Sequence, residues 1–389
     1  MKRFLVFGTH PEISLAELKA VFHIEKPLLT GSLAIIEPKE WDDEDVQNRL
    51  AGVVKLGDVI DELPVDALNE KILADHIEVR PRSERVLFGI TIAGGTSKDR
   101  AALKHLPIRL KRELQERGKS VRWVTGDQGI LSPAAVSKLA LTSDGYDFVI
   151  AIHGKTAYIG LTKQVQKIDN WSLRDFGRPF RDAKTGMLPP KLARMMVNLA
   201  QPKHALLDPF CGGGTVIMEG ALLHKNLFLV GSDIDARQIA GAQENTEWLM
   251  RKELLDRPSA ERIDWKICPA QEINKHLLGK QFDAIVTEGY LGAPLSGHES
   301  TSVLEKEQAT IEHLWEETLP VLASLQPAGS RLVAIWPDLV ASHGVYSVNP
   351  IKAAQESGYR LESKPLIYAR PEQHVRRKIV ILAKQEKNK

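Results

Sequence analysis

Cysteine is nearly absent: Cys211 and Cys268 are the only two among 389 residues. Two thiols cannot make a disulfide framework or a four-cysteine metal cluster, so no metal is expected. Long apolar runs are also missing, and none approaches the roughly 20 residues of a membrane span. The apolar stretch after Arg3 stops after four residues and runs into His10-Pro11-Glu12, without the pattern of a secretory leader. Internal repeats and low-complexity tracts are lacking as well, apart from a Lys-rich tail, which argues against a solenoid or a disordered chain. A reducing cytoplasm is the expected compartment. What is present is ordinary for a globular protein: 43% hydrophobic and 26% charged residues, with length for two domains or three small ones.

The net charge of +2 hides an asymmetry. Residues 1–65 carry 7 Lys/Arg against 12 Asp/Glu, a balance of −5, whereas residues 66–185 carry 21 against 14, a balance of +7. The remainder is even, at 24 against 24. A basic middle segment suits a phosphate-backbone partner, and it equally suits a solvated Lys/Arg-rich surface.

The amino-terminal part reads as short alternating units. Strands are expected at 3–7, 33–36, 86–92 and 121–124, and a hairpin at 146–152 and 156–161 around Gly154-Lys155. A helix is expected over 14–22, with Ser14 as cap and Glu17 closing a capping box. Others follow at 42–50, opened by acids, at 106–117, basic and closed by Gly118, and at 133–139. Residues 170–187 mix Gly, Pro, Arg and aromatics without periodicity and read as a linker. A helix at 188–200, with Pro189-Pro190 in its first turn, opens a region of clean strand–helix alternation. Its strands are expected at 205–208, 227–233, 263–268, 283–287, 331–336 and 378–382, the pattern of a doubly wound α/β sheet.

The most informative stretch is Leu206-Leu207-Asp208-Pro209-Phe210-Cys211-Gly212-Gly213-Gly214-Thr215. A buried strand ends in an acid, a glycine-rich turn follows, and a helix starts at Thr215. Ligands sit at the carboxyl ends of strands in such sheets, and glycines let them approach the backbone. The next strand ends Ser232-Asp233-Ile234, which places Asp233 21 residues after Gly212, the spacing of an acid that accepts from ribose hydroxyls. A dinucleotide site wants G-x-G-x-x-G around a pyrophosphate, and Asp208 would repel phosphate. An acid there suits the ammonium of S-adenosylmethionine instead. Cys211 reads as a packed small residue, since no Cys/His pair accompanies it.

The run Asp208–Thr215 resembles the cofactor motif of THUMP-containing RNA methyltransferases, above all the tRNA guanine-N2 group that acts at position 10. Arg178-Pro179 and Gly186-Met187-Leu188-Pro189-Pro190-Lys191-Leu192-Ala193 resemble that group's lead-in to its catalytic domain. The resemblance is specific across 174–292 and again at 368–382, and weaker over 1–160. It implies a Rossmann-like class I methyltransferase domain at 188–389, behind a ferredoxin-like module at 1–65 and a THUMP-like RNA-binding domain at 66–169. It also implies S-adenosylmethionine as cofactor and RNA, most simply tRNA, as partner. Asp208, Pro209, Gly212, Gly214, Thr215, Asp233, Ile234 and Ala270 would hold the cofactor.

In that group the fourth strand ends in Asp-Pro-Pro and an aromatic. The carboxylate and a backbone carbonyl accept the two hydrogens of a guanine amine, and the aromatic stacks the base. This chain reads Thr287-Glu288-Gly289-Tyr290. Glu288 and Tyr290 are therefore the expected catalytic residues, with two departures: a longer acid, and a glycine where the group has a rigid proline. Restoring proline at 289 is expected to be tolerated. A third departure is Pro269, where the group commonly has an aspartate for the adenine amine; Gln271 or backbone groups would substitute. Tyr368-Ala369-Arg370-Pro371 and Arg376-Arg377-Lys378 could touch RNA phosphate or form a solvated basic edge. The rival readings are a THUMP-type RNA-binding protein that has lost its chemistry, supported by Gly289 and Pro269, and a DNA amino-methyltransferase.

Overall fold

The computed structural model describes every residue except 78–84, 127–129, 183–186, 371 and 387–389, so Gly186 and Pro371 lie outside the described residues. The chain divides into two compact units, Met1–Asn170 and Trp171–Lys389.

The first unit runs β1 (Arg3–Phe7), α1 (Pro11–Phe22), β2 (Leu28–Thr30), β3 (Leu33–Ile36), α2 (Asp43–Arg49), β4 (Val53–Pro64), α3 (Glu70–Asp75), β5 (Arg85–Gly94), α4 (Ser97–Leu103), α5 (Leu106–Glu116), β6 (Ser120–Trp123), α6 (Pro133–Lys138), β7 (Tyr146–His153) and β8 (Thr156–Val165). Its eight strands lie in one sheet, in the order β2-β3-β1-β4-β8-β7-β5-β6. Alternation along β1 shows how the sheet feeds two cores. Leu5 and Phe7 pack with Leu18 of α1 and Val46 of α2, while Phe4 faces Val149 and Tyr158. Farther along, Leu106, Leu110 and Leu114 of α5 pack on Phe88 and Phe148, as the spacing of an amphipathic helix requires. Gly118, at φ +76°, closes α5 as expected.

Three features differ from the sequence expectation. Helix α1 starts at Pro11, three residues early, because proline is at home in a first turn. Ser14 and Glu17 are therefore interior and fully buried. Ser14 bonds back to the His10 carbonyl, and Glu17 accepts from the amides of Ala51 and Gly52 rather than closing a capping box. The expected division at 65/66 runs through a continuous sheet, since β4 pairs with β1 on one side and β8 on the other. Within it, β1-α1-β2-β3-α2-β4 is the succession of the split βαβ motif.

Residues 170–187 are the third difference. Helix α7 (Ile168–Phe176) occupies the first part of the expected linker. In the second unit Trp171, Arg178 and Asp182 are buried, and Phe180 is tied by two hydrogen bonds to Asn245. Aperiodic composition reflected a segment that packs by individual anchors rather than by one face.

The second unit continues with α8 (Pro190–Ala200), β9 (Ala205–Asp208), α9 (Thr215–Leu223), β10 (Phe228–Asp233), α10 (Ala236–Arg251), α11 (Arg257–Ala260), β11 (Ile263–Ile267), α12 (Ile273–His276), β12 (Ala284–Glu288), α13 (Thr301–Ser324), β13 (Arg331–Ala341), β14 (Gly344–Ser347), α14 (Ile351–Glu356), β15 (Tyr359–Leu361), β16 (Leu366–Tyr368) and β17 (Val375–Lys384). The sheet order is β11-β10-β9-β12-β13-β17-β15, with β14 beside β13 and β16 beside β17. The strands from β11 to β13 run parallel and β17 is antiparallel. This is the expected Rossmann-like α/β sheet. Its order reverses between β9 and β12, so the carboxyl ends of those two strands flank the switch point where such sheets bind ligands. Strands β14 to β16 were not expected; they are three or four residues long and carry little period. Among the described residues no helix is long and apolar enough to cross a membrane.

Candidate active site at the sheet switch point

A cavity of about 1000 Å³ opens over the ends of β9, β10 and β12 and is walled by the second unit alone. Its floor is the turn after β9. Gly212 and Gly214 hold φ of +49° and +82°, conformations that cost a side chain energy. A Cβ on Gly212 would meet nothing nearer than Gln238 Oε1 at 3.8 Å, so that glycine leaves backbone open to a ligand. A Cβ on Gly214 would press on Trp265 and Ala242, at 2.9 and 3.0 Å, so that glycine serves packing. The turn is pinned by Cys211 N to Ser232 O and by Asn245 Nδ2 to Gly213 O, at 2.8 and 2.9 Å.

Asp233 does double duty. Its Oδ2 accepts from Gly212 N at 3.0 Å and its Oδ1 from Asp235 N at 2.9 Å, which fixes the carboxylate against the turn. Burial raises its pKa, and the backbone bonds oppose that rise. Ile234 follows, lining the cavity although 73% exposed, and so offers an apolar face to whatever enters. Ala270 and Pro209 line the cavity too; Ala270 is buried at the start of a 3-10 turn capped by Pro269. Gln271 lines the cavity as well, its Nε2 donating to Glu317 at 3.3 Å, a bond that leaves Oε1 available as an acceptor.

Asp208 is almost wholly buried at the end of β9. Its Oδ1 accepts from Thr287 Oγ1 at 2.7 Å and Phe210 N at 3.2 Å. Burial pushes its pKa up to about 7, with the carboxylates of Asp233 and Glu288 adding to the rise and the two hydrogen bonds opposing it. Thr215 lines the cavity, but its hydroxyl accepts from the buried Arg178 at 2.6 Å. Cys211 is buried, which raises its thiol pKa, and it is no nucleophile at neutral pH.

Glu288 and Tyr290 reach the same cavity from the end of β12. Glu288 has a partner that the sequence did not suggest. Glu288 Oε1 accepts from Arg377 Nε at 2.6 Å, in an ion pair about nine-tenths buried on both sides. Arg377 comes from β17 and itself lines the cavity, 8% exposed. It had been read only as part of a basic edge, because nothing in sequence brings residue 377 beside 288. Tyr290 is 46% exposed, with burial and the Glu307 carboxylate raising its phenol pKa.

Gly289 also has a cause that the sequence hid. A Cβ there would lie 2.7 Å from the indole of Trp315, which is fully buried beneath the strand end and packed on Phe210 and Trp336. Glycine is present because tryptophan occupies the space a proline ring would need. The expectation that proline at 289 would be tolerated is thereby corrected. Among the described residues no group of three or more His, Cys, Asp or Glu could hold a metal ion.

Comparison with known proteins bears on the same region. The family model of the RMKL-like UPF0020 methyltransferase domain matches residues 178–358, which include the cavity walls except the stretch around Arg377. The chain is 31% identical over 135 residues to the tRNA (guanine(10)-N2)-dimethyltransferase of Pyrococcus abyssi, covering 35% of this chain and 34% of that protein. It is 41% identical over 106 residues to the Methanocaldococcus jannaschii protein of that name, covering 26% and 28%. These matches thus span about a third of the length of the curated relatives. Among solved structures, TrmN from Thermus thermophilus superposes with a TM-score of 0.55 at 17% identity, over 99% of this chain and 100% of that one. A possible methylase from Clostridium difficile 630 superposes at 0.54 and 13% identity, over 100% and 99%. The chain therefore shares its mixed α/β fold with these proteins, the Rossmann-like second unit included.

Proposed function

We propose that this protein transfers a methyl group from S-adenosylmethionine to an exocyclic amine of RNA, with guanine N2 in tRNA as the favoured target. The observation that carries the reading is one cavity at the switch point, holding a Cβ-free turn between two fixed acids on one side and Glu288 with Tyr290 on the other. The two archaeal relatives, tRNA guanine-N2 dimethyltransferases by name, support the choice of base.

The residues present fit the cofactor. Asp233 is oriented for ribose hydroxyls, Gly212 leaves the backbone open, Ile234 and Ala270 offer apolar walls, and Asp208 supplies a carboxylate where a cation would stand. Pro209, Gly214 and Thr215 shape the turn. Bound there, S-adenosylmethionine supplies an electrophilic methyl group. The chain's task is then to present the amine. Glu288 Oε2, without a hydrogen-bond partner among the described residues, accepts from the amine N–H, and Tyr290 stacks the base. The nitrogen lone pair is thereby turned from the ring toward the methyl group, and the carboxylate stabilises the positive charge that develops on nitrogen. The first unit is read as the RNA-binding part, a ferredoxin-like module and a THUMP-like domain, and the cytoplasm as the compartment. The exposed Arg112 and half-buried Lys111 of α5 are candidates for phosphate, whereas Arg109 is paired with Glu70.

Incubation with tRNA and labelled S-adenosylmethionine, followed by nucleoside mass spectrometry, tests the reading. Label in N2-methylguanosine is the expected result. Binding of both ligands without transfer would favour a degenerate binder, and label in methyladenosine would overturn the choice of base.

A further inference from the structure

We infer that Arg377 reads the carbonyl edge of the target base, so that Glu288 and Arg377 together select guanine by its O6 acceptor as well as its N2 donor. The inference rests on the proposed amine methylation and adds the residue that sets its specificity.

The argument starts from donors left unspent. A guanidinium carries five N–H groups. Arg377 uses Nε on Glu288 Oε1, and its two terminal nitrogens have no hydrogen-bond partner among the described residues. The side chain is 8% exposed and lines the cavity, so those nitrogens are held in the wall of the proposed base site. Facing the cavity, those donors are open to a ligand acceptor, which would take the place of water on them. The backbone is rigid here, because Arg377 is paired with Pro337 of β13 on one side and with Tyr368 of β16 on the other. An ion pair that only neutralised Glu288 could be made by any cation. A fork bound through Nε instead leaves its terminal nitrogens side by side, beyond the carboxylate.

The pair thus presents an acceptor, Glu288 Oε2, next to a row of donors. Guanine has the complementary edge, donors at N2 and N1 followed by the O6 acceptor, so that Glu288 takes the donor end and the guanidinium the carbonyl end, and arginine is a common partner of guanine O6. Adenine puts a donor where guanine has O6, and it would face the guanidinium donor to donor. The same arrangement explains why the acid is glutamate. It must both reach the amine and lean on β17, and the extra methylene gives that reach.

The test compares methyl transfer to RNA carrying guanine or 2-aminopurine at the target position, since 2-aminopurine keeps the N2 amine and lacks O6 together with the N1 proton, and the Arg377 variants then assign the O6 share. For the wild type, kcat/KM on 2-aminopurine should fall by about tenfold to a hundredfold. In Arg377→Met and Arg377→Lys the guanine rate should drop toward the 2-aminopurine rate, leaving the preference lost, while calorimetry shows cofactor affinity retained. Equal wild-type rates on the two bases would overturn the inference with no variant needed. A variant that slows both substrates by the same factor would overturn it too, making Arg377 a support for Glu288 alone. No transfer to guanine by the wild type would overturn the methyltransferase reading itself.

Discussion

The turn after β9 and the end of β12 flank the same switch point and are built in opposite ways. The turn is mostly self-contained. Its glycines supply their own φ, and Cys211, Gly212 and Gly214 bond to one another, to Ser232 and to Asp233 on the neighbouring strand. The strand end is made by remote residues: Trp315 dictates Gly289, Glu307 sits by Tyr290, and Arg377 grips Glu288 across 89 residues. A locally wired element can be read from its own letters. An element wired at long range takes its letters from distant partners, here Trp315 and Arg377.

The sharpest break between the two is Glu288→Gln. It removes the charge at the strand end and leaves the turn untouched. Single-turnover methyl transfer should slow by about 10²–10³, the usual effect of losing one preorganised electrostatic contact. Cofactor affinity by calorimetry should stay constant. An unchanged transfer rate would remove Glu288 from the chemistry.

A smaller effect comes from packing. Gly289→Pro forces a ring toward Trp315 and should destabilise the fold by about 1–3 kcal/mol, the range for overpacked sites. The same change in a Trp315→Leu background should cost clearly less, a non-additivity readable by thermal or denaturant unfolding. Equal costs in the two backgrounds would mean that Trp315 is not what holds position 289 to glycine.

The mildest test titrates the turn. With its pKa near 7 in the folded state, Asp208 keeps a proton there that the unfolded chain has lost. Its contribution to stability should therefore fall as pH rises from about 4 through 7 and level off above, the sign expected when the folded state binds more protons. A cationic ligand favours the ionised carboxylate, so S-adenosylmethionine should bind more tightly as pH goes from 6 to 8. Asp208→Asn should flatten both trends. Melting curves and calorimetry across that range would check this, and a wild-type profile matching Asp208→Asn would deny the shift.

Much of the second unit was legible from one dimension. Strands with continuous apolar runs, such as β9 and β10, appear within a residue of where their sequence puts them, and the glycine turn and Asp233 sit together as their spacing requires. The first unit was legible as elements but not as a sheet, since β4 joins what looked like two modules. Helix α1 misled because Ser14 and Glu17 have capping spacing, while Pro11 sets the start.

By itself, then, the sequence determined the α/β class, the cofactor-type turn and the two residue types at the end of β12. These depend on period, φ and short spacing, all of which act between near neighbours. Only the tertiary structure decided that residues 171–182 belong to the second unit, that Gly289 answers to Trp315, and that Glu288 is bound to Arg377. Those facts rest on contacts between residues tens of positions apart, where excluded volume and unmet donors, rather than local preference, choose the partner.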